Sequence, residues 1–249
     1  MIPPIDTSYI ADELERIAEA LNEAAEDYPN ESNADPYALA SAMRELLEAL
    51  HCSRVGTPVP NASPDTLATP GTDITALGDH GFDLLARLAA LAGRLHQPDL
   101  GHEIEVLAVP LACWIARCDA EIITLDPVVN GAAALANHLK QPQHLIQLYG
   151  LLREIGNAVS PFISQTAASA DPAQPWRVFL LNKAIVATRS HQPVLMDEAF
   201  DALTDQIPED AMEFFREGME QMDALDYPPE VRSVMERWHE QWCGRRVLH

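Results

Sequence analysis

Apolar residues recur at every third or fourth position along most of the chain. Side chains at this spacing share one face of an α-helix, so the pattern predicts amphipathic helices that bury one face against a neighbour. Clusters of Pro, Gly and small polar residues separate the apolar stripes. The predicted helices span about residues 8–27, 36–50, 79–95, 98–118, 127–139, 142–159, 176–189, 193–205, 209–225 and 229–242.

Proline marks the start of many of these segments. A Pro at the first helical position loses no hydrogen bond, because its missing N–H would be unpaired there. The apolar residues are mainly Ala, Leu, Ile and Met, which favour helices over strands. We therefore predict an all-α fold of roughly ten helices, arranged as stacked antiparallel hairpins in a superhelix or an irregular array.

Residues 54–72 interrupt the pattern with four Pro and two Gly, which predicts a linker or loop. On this basis residues 1–53 form an N-terminal helical hairpin and residues 73–249 a helical-hairpin array. In the alternative organisation, both parts belong to one continuous domain.

One short sequence recurs where helices are predicted to meet. Residues 92–98, 136–142 and 187–193 each contain an Ala near a helix end and a Gln-Pro pair that begins the next helix. The spacings of 44 and 51 residues suggest repeated hairpin units. The alternative is that Gln-Pro is a favourable turn that the chain uses several times.

Four positions in the segment 196–221 follow a distinctive spacing. Pro208 lies eight residues after Phe200, Phe214 six residues further on, and Gly218 four residues after that. This arrangement resembles the junction between two units of the tetratricopeptide-repeat family.

The resemblance implies a tetratricopeptide-like superhelix with a protein-binding role and no catalytic residues. In such a junction Gly218 lets two helices approach closely, and Phe214 fills the space between hairpins. Glu217 and Gln221 depart from the Leu and Tyr that are usual in the family. A weaker echo of the pattern occurs at residues 142–150.

Acidic residues outnumber basic ones by 38 to 16, giving a formal charge of −22. The excess lies in residues 1–50, with a net charge of −10, and in residues 197–240, with −11. Such a field repels nucleic acid and anionic membranes and attracts a basic protein partner. The alternative is a surface whose charge only maintains solubility.

Cysteine usage and the first residues favour a cytoplasmic location. Met1–Asp6 lacks the basic and apolar regions of a signal peptide, and the longest uncharged apolar run, Val106–Ala116, is too short to span a bilayer. The four cysteines show no CxxC spacing and are expected to be reduced thiols. They are Cys52, Cys113, Cys118 and Cys243.

Two Glu-x-x-His pairs are the main metal-like signal, since His239 and Cys243, four residues apart on a helix, make only half of a zinc site. Glu48 with His51 and Glu236 with His239 each share a helix face, as in helical-bundle metal sites. With 20 Glu and nine His in the chain, two such pairs are close to chance. We predict no cofactor, and metal binding through these four residues is the alternative hypothesis.

The C-terminal third contains a Met-rich stripe followed by two tryptophans one turn apart. Such side chains suit adaptable protein binding, although a stripe at helical spacing also fits a core between the last two helices. The candidate partner-binding residues are Phe214, Phe215, Met219, Met222, Trp238 and Trp242.

No catalytic motif is present: the chain lacks GxSxG, HExxH and a Gly-rich phosphate loop. We therefore predict a cytoplasmic protein-interaction or scaffold module without catalytic activity. A helical-bundle enzyme or ligand binder is the alternative. Self-assembly, for example as a homodimer through the C-terminal helices, is a third hypothesis.

Overall fold

The computed structural model describes residues 2–28, 34–55, 73–165 and 173–244. Within these ranges the regular structure is helical apart from one isolated bridge. The predicted all-α fold of about ten helices is confirmed. The helices are α1 (Thr7–Asp27), α2 (Pro36–Val55), α3 (Ile74–Arg94), α4 (Pro98–Ala116), α5 (Asp126–His138), α6 (Pro142–Ala158), α7 (Pro161–Gln165), α8 (Pro175–Arg189), α9 (Pro193–Gln206), α10 (Pro208–Ala224) and α11 (Pro229–Cys243). Among the described helices, none combines the length and the hydropathy needed to cross a bilayer.

Eight of these eleven helices begin at a proline, as the sequence predicts. Helix α3 begins five residues before its predicted start, because the Asp73 carboxylate accepts a hydrogen bond from the Ala76 N–H at 3.2 Å. Helix α7 was not predicted, since its five residues are too few to show an apolar stripe. Helix α2 continues to Val55, and residues 56–72 of the predicted linker lie outside the described residues.

The chain divides into two compact units. The N-terminal unit contains Pro3–Leu135 and Glu154–Ser160. The C-terminal unit contains Ala136–Arg153 and the chain from Pro161 onward, together with the first two residues. Helix α6 therefore contributes its first twelve residues to the C-terminal unit and its last five to the N-terminal unit.

In the N-terminal unit four helices form a closed ring of contacts. Helix α1 packs against α2 and α4, and α3 packs against the same two helices. The hairpin of α1 and α2 thus packs directly on α3 and α4. Apolar stripes that the sequence indicates are buried here: Ile10, Leu14, Ile17 and Leu21 of α1, Leu39, Met43, Leu46, Leu47 and Leu50 of α2, Leu84, Leu85, Leu88 and Leu91 of α3, and Ile104, Leu107, Leu111 and Trp114 of α4.

The C-terminal unit is organised around α9. This helix packs against α8, with which it forms one hairpin, and against both α10 and α11, which form the next hairpin. Its inward side chains Met196, Ala199, Phe200 and Leu203 are buried. Helix α9 therefore holds the two hairpins of this unit together.

One turn has the same conformation in both units. His96 and His191 precede the Gln-Pro pairs of the recurring sequence and adopt φ angles of 55° and 57°. Each histidine ring packs edge-on against a tyrosine ring, Tyr28 at 5.2 Å and Tyr227 at 5.4 Å between centroids. The recurring sequence thus encodes a defined turn in two places.

Candidate functional site

The structure places two of the six candidate partner-binding residues in the core. Phe215 is 0% exposed and Met222 is 1% exposed. Phe215 offers no surface to a partner, so for this residue the core interpretation of the Met-rich stripe replaces the binding interpretation. Met222 is a core residue too, and it can meet a partner only where it lines the cavity described below. Phe214, Met219, Trp238 and Trp242 are partly exposed.

Aromatic rings join the two hairpins of the C-terminal unit. Phe200 of α9 lies edge-on to Phe214 and Phe215 of α10, at 5.5 and 5.2 Å between centroids. Trp238 of α11 stacks on Phe215 at 5.8 Å, and its indole N–H donates to the Asp197 carboxylate at 2.8 Å. Phe214 thus fills the space between hairpins, as expected from its position in the sequence, and much of the Trp238 ring serves packing.

Gly218 sets the distance between α10 and α11. A Cβ at this position would lie 2.7 Å from both the sulfur and the methyl carbon of Met235. The expectation that Gly218 lets the two helices of this hairpin approach closely is confirmed. The close approach brings Met235 to the wall of an adjoining cavity.

This cavity, here the C-terminal cavity, has a volume of about 400 Å³. It lies between α8, α10 and α11 and the turn that joins the last two. Most of its wall is apolar, and methionine side chains give it an adaptable shape. Its lining residues are Ile185, Thr188, Arg189, Phe214, Glu217, Gly218, Gln221, Met222, Leu225, Tyr227 and Met235. Among the candidate residues, Phe214 and Met222 contribute to it.

A second, smaller cavity adjoins the first and is here named the cationic pocket. It has a volume of about 280 Å³ and shares Arg189, Leu225 and Tyr227 with the C-terminal cavity. Its other lining residues are Lys140, Pro142, Leu145, His191 and Asp226. The two cavities are therefore neighbours, and together they are here named the cleft; one part is mostly apolar and the other carries several basic groups.

Arg189 is the fixed element between the two cavities. Its guanidinium donates to the carbonyl oxygens of Ala136 and Leu139 at 2.8 and 2.9 Å. These carbonyls terminate α5, so the cation also meets the negative end of that helix dipole. The hydrogen bonds hold the guanidinium at the junction of the two cavities.

Tyr227 forms another shared part of the wall. Burial raises the pKa of Tyr227, and the nearby Arg189 opposes this shift. The phenol is therefore a neutral hydrogen-bond donor near pH 7. Its ring is held by the edge-on contact with His191.

A half-buried ionic cluster in the C-terminal unit was not predicted. The ammonium of Lys183 lies 5.2 Å from the centre of the Tyr149 ring and 3.6 Å from the Glu198 carboxylate. Burial lowers the pKa of Lys183 and raises the pKa of Tyr149, whose hydroxyl makes no hydrogen bond among the described residues. The cluster joins α6, α8 and α9, and no local sequence spacing signals such a contact.

The two Glu-x-x-His pairs belong to different units. Glu48 and His51 are exposed at a depression on the N-terminal unit, and Glu236 and His239 lie on α11 of the C-terminal unit. The Glu236 carboxylate lies 3.9 Å from the guanidinium of Arg232. In the described part of the chain, no group of three or more His, Cys, Asp or Glu side chains is placed to hold a metal ion.

No protein-family model matches the chain, and no curated protein or solved structure matches it significantly. The resemblance of residues 196–221 to a tetratricopeptide junction therefore gains no support from these comparisons. A functional assignment depends on the geometry of the cleft itself.

Proposed function

We propose that this protein is a protein-interaction module whose C-terminal cavity accepts apolar side chains from a segment of a partner protein. The observation that carries the proposal is a mostly apolar cavity of about 400 Å³ with the exposed carboxylate of Glu217 in its wall. Concave sites with mostly apolar walls and a few polar groups are typical of specific binding.

The energetic argument comes from the wall of the cavity. Ile185, Phe214 and Leu225 supply accessible apolar surface to this wall. Met222 and Met235 line it from the core, where each side chain is only 1% exposed. A leucine-sized side chain that removes about 100 Å² of apolar surface from water contributes about 2.5 kcal/mol. One or two such anchors contribute about 2.5 to 5 kcal/mol, so the flanking charged contacts must supply the rest of the binding free energy.

The charge around the cavity defines the partner's chemistry. Residues 197–240 contain fourteen acids and three bases. Glu217 lines the cavity, and Glu213, Glu220 and Asp223 are exposed on the same helix. We therefore propose a partner segment whose apolar anchors are flanked on this side by Lys or Arg, with association steered by charge and weakened by salt.

Peptide selection tests the proposal. A random peptide library displayed on phage is selected against the intact protein, and enriched peptides are synthesised for fluorescence anisotropy. Gln221→Trp places a bulky ring on an exposed residue of the cavity wall, whereas Gln147→Trp makes the same change on the exposed surface of α6. We expect peptides with one or two apolar anchors next to basic residues, a Kd raised at least tenfold by Gln221→Trp, and a Kd within twofold of the original for Gln147→Trp.

Three outcomes would overturn the proposal. The first is the absence of any enriched peptide family, and the second is equal weakening by both tryptophan variants. The third is a concentration-dependent dimer, measured by sedimentation, that Gln221→Trp abolishes, because the cavity would then be occupied by a second copy of the chain.

A further inference from the structure

The cationic pocket has a charge pattern unlike the rest of this acidic chain. Lys140 and Arg189 both line it, together with His191. The chain has only two lysines, so one of them lies here. Asp226 is the single carboxylate in the lining. Even with His191 neutral, two cations face one anion, in a chain whose formal charge is −22.

The donors of this pocket are held in place by contacts outside it. Arg189 uses two of its five N–H groups on the carbonyls at the end of α5. The Lys140 ammonium lies 3.3 Å from the Asn137 carbonyl. These contacts hold both cations against the end of one helix, and they leave further N–H groups to face an acceptor.

Shared residues fix where an acceptor would sit relative to an apolar anchor. Arg189, Leu225 and Tyr227 line both cavities, so a peptide segment anchored in the C-terminal cavity needs only to pass these side chains to reach the cationic pocket. Glu217 lines only the C-terminal cavity, while Lys140 and His191 line only the cationic pocket. The cleft is therefore acidic at the Glu217 side and basic at the Lys140 side.

We infer that the cationic pocket binds a carboxylate of the partner segment whose apolar side chain occupies the C-terminal cavity. The inference rests on the proposed function and extends it, because it gives the segment a direction. A basic residue lies beside Glu217, an apolar anchor lies over Phe214 and Met222, and an acidic group lies between Lys140, Arg189 and Tyr227. Charge-assisted hydrogen bonds to a carboxylate are about twice as strong as neutral ones, and this difference selects the orientation.

Parallel peptide selections test this direction. The wild type and Lys140→Glu are each selected against the same random library. Arg216→Glu is the matched control, because it makes the same change of two charge units at an exposed position of α10 outside both cavities. We expect wild type and Arg216→Glu to enrich an Asp or Glu at a fixed distance from the apolar anchor. Lys140→Glu is expected to enrich Lys or Arg at that same position.

A titration with inorganic phosphate gives a second readout that needs no peptide. The imidazole signals of His191 are followed by NMR in the wild type, Lys140→Glu and Arg216→Glu. We expect a saturable shift in the wild type and in Arg216→Glu, and at least a tenfold loss of affinity in Lys140→Glu.

The outcomes separate the inference from the proposed function. Enriched apolar peptides without an acidic preference, or with a preference that Lys140→Glu leaves unchanged, overturn the inference and leave the proposed function standing. Phosphate binding without any enriched peptide overturns both and assigns the pocket to a free anion. An acidic preference that switches sign in Lys140→Glu supports both.

Discussion

The two units use similar helical hairpins but bury them differently. In the N-terminal unit α1 and α3 each pack against both α2 and α4, so each of the four helices has two neighbours within the ring. In the C-terminal unit α9 takes the central place between two hairpins, and a cavity of about 400 Å³ lies between α8, α10 and α11. The N-terminal unit also carries a depression, of about 600 Å³, but it lies along α1 and α2 of a single hairpin. The comparison teaches that similar hairpins leave a cavity within one hairpin or between two, according to which helix is central.

The units also differ in how their closest helix contacts are made. In the N-terminal unit a Cβ on Gly131 would lie 2.3 Å from a backbone carbonyl oxygen, that of Glu105. In the C-terminal unit a Cβ on Gly218 would meet the flexible end of Met235. The first contact cannot yield, whereas the second can adjust by rotation of a side chain. The rigid contact suits a closed core, and the adaptable one suits a wall that receives a ligand.

The aromatic cluster is the part of the C-terminal unit that most resembles a closed core, and its removal gives the largest expected effect. Phe200 is 0% exposed and lies against Phe214, Phe215 and Trp238. Phe200→Ala is expected to lower the free energy of unfolding by about 4 kcal/mol, measured by urea unfolding with tryptophan fluorescence. Phe162→Ala, at a ring that is 76% exposed, is the control and should change stability by less than about 0.5 kcal/mol.

Equal effects of the two phenylalanine substitutions would contradict the division of the C-terminal unit into a packed cluster and an open cleft.

The rigid contact of the N-terminal unit gives the second prediction. Gly131→Ala places a methyl group against the Glu105 carbonyl oxygen, and we expect a loss of about 3 kcal/mol because backbone must move. Gly93→Ala is the control in the same unit, since no atom lies within 4 Å of its added Cβ. In Gly93→Ala the unfolded chain has less backbone entropy to lose, so the free energy of unfolding should rise by about 0.5–1 kcal/mol. Chemical unfolding of both variants measures the difference, and a tolerated Gly131→Ala would show that the N-terminal core is adaptable too.

A buried thiol in the N-terminal unit makes its stability sensitive to alkali. Burial, aided by the Glu154 carboxylate, raises the pKa of Cys113 from 9.0 to about 12. Above pH 9.0 the folded state therefore keeps the thiol proton of Cys113, whereas the unfolded state loses it. The contribution of this thiol to the free energy of unfolding is complete below pH 9.0 and falls as the pH rises towards 12. Between pH 9 and 10.5 the wild type should lose about 2 kcal/mol relative to Cys113→Ala, at about 1.4 kcal/mol per pH unit. Urea midpoints of both proteins at these two pH values measure the loss, and parallel pH profiles would contradict it.

The sequence predicts the helices well because their signals are local. Apolar spacing locates the buried stripes of α1–α4, and proline locates most helix starts, since both act within one or two turns. The tetratricopeptide resemblance led us to expect Gly218 and Phe214 as packing residues, and Phe214 lies against Phe200 while Gly218 lies beside Met235.

The cleft was predicted only in part, because its residues come from distant positions. Phe214 and Met222 were among the candidate residues. Arg189 ends α8, whereas Lys140 and Tyr227 follow the ends of α5 and α10, so these three residues meet only when the helix ends come together. A sequence stripe also does not tell a buried from an accessible apolar residue, which is why Phe215 and Met222 stood among the candidate partner-binding residues beside the core interpretation. One usable signal was overlooked: Arg94 and Arg189 stand at the same place in the recurring turn sequence.

The smallest expected effect tests whether the recurring turn is equivalent in the two units. His96 and His191 adopt positive φ angles, where a Cβ is crowded and glycine is favoured. Substitution by Ala removes the ring contact with Tyr28 or Tyr227 and keeps the backbone strain of the positive φ angle. Substitution by Gly removes the same ring contact and also relieves the backbone strain. We therefore expect each Gly variant to be more stable than the matching Ala variant by about 1 kcal/mol, by the same amount at both positions. Urea unfolding of the four variants measures the two differences. A clear difference at His96 with none at His191 would show that the turn beside the cleft is held by its surroundings, and not by the local conformation that the two units share.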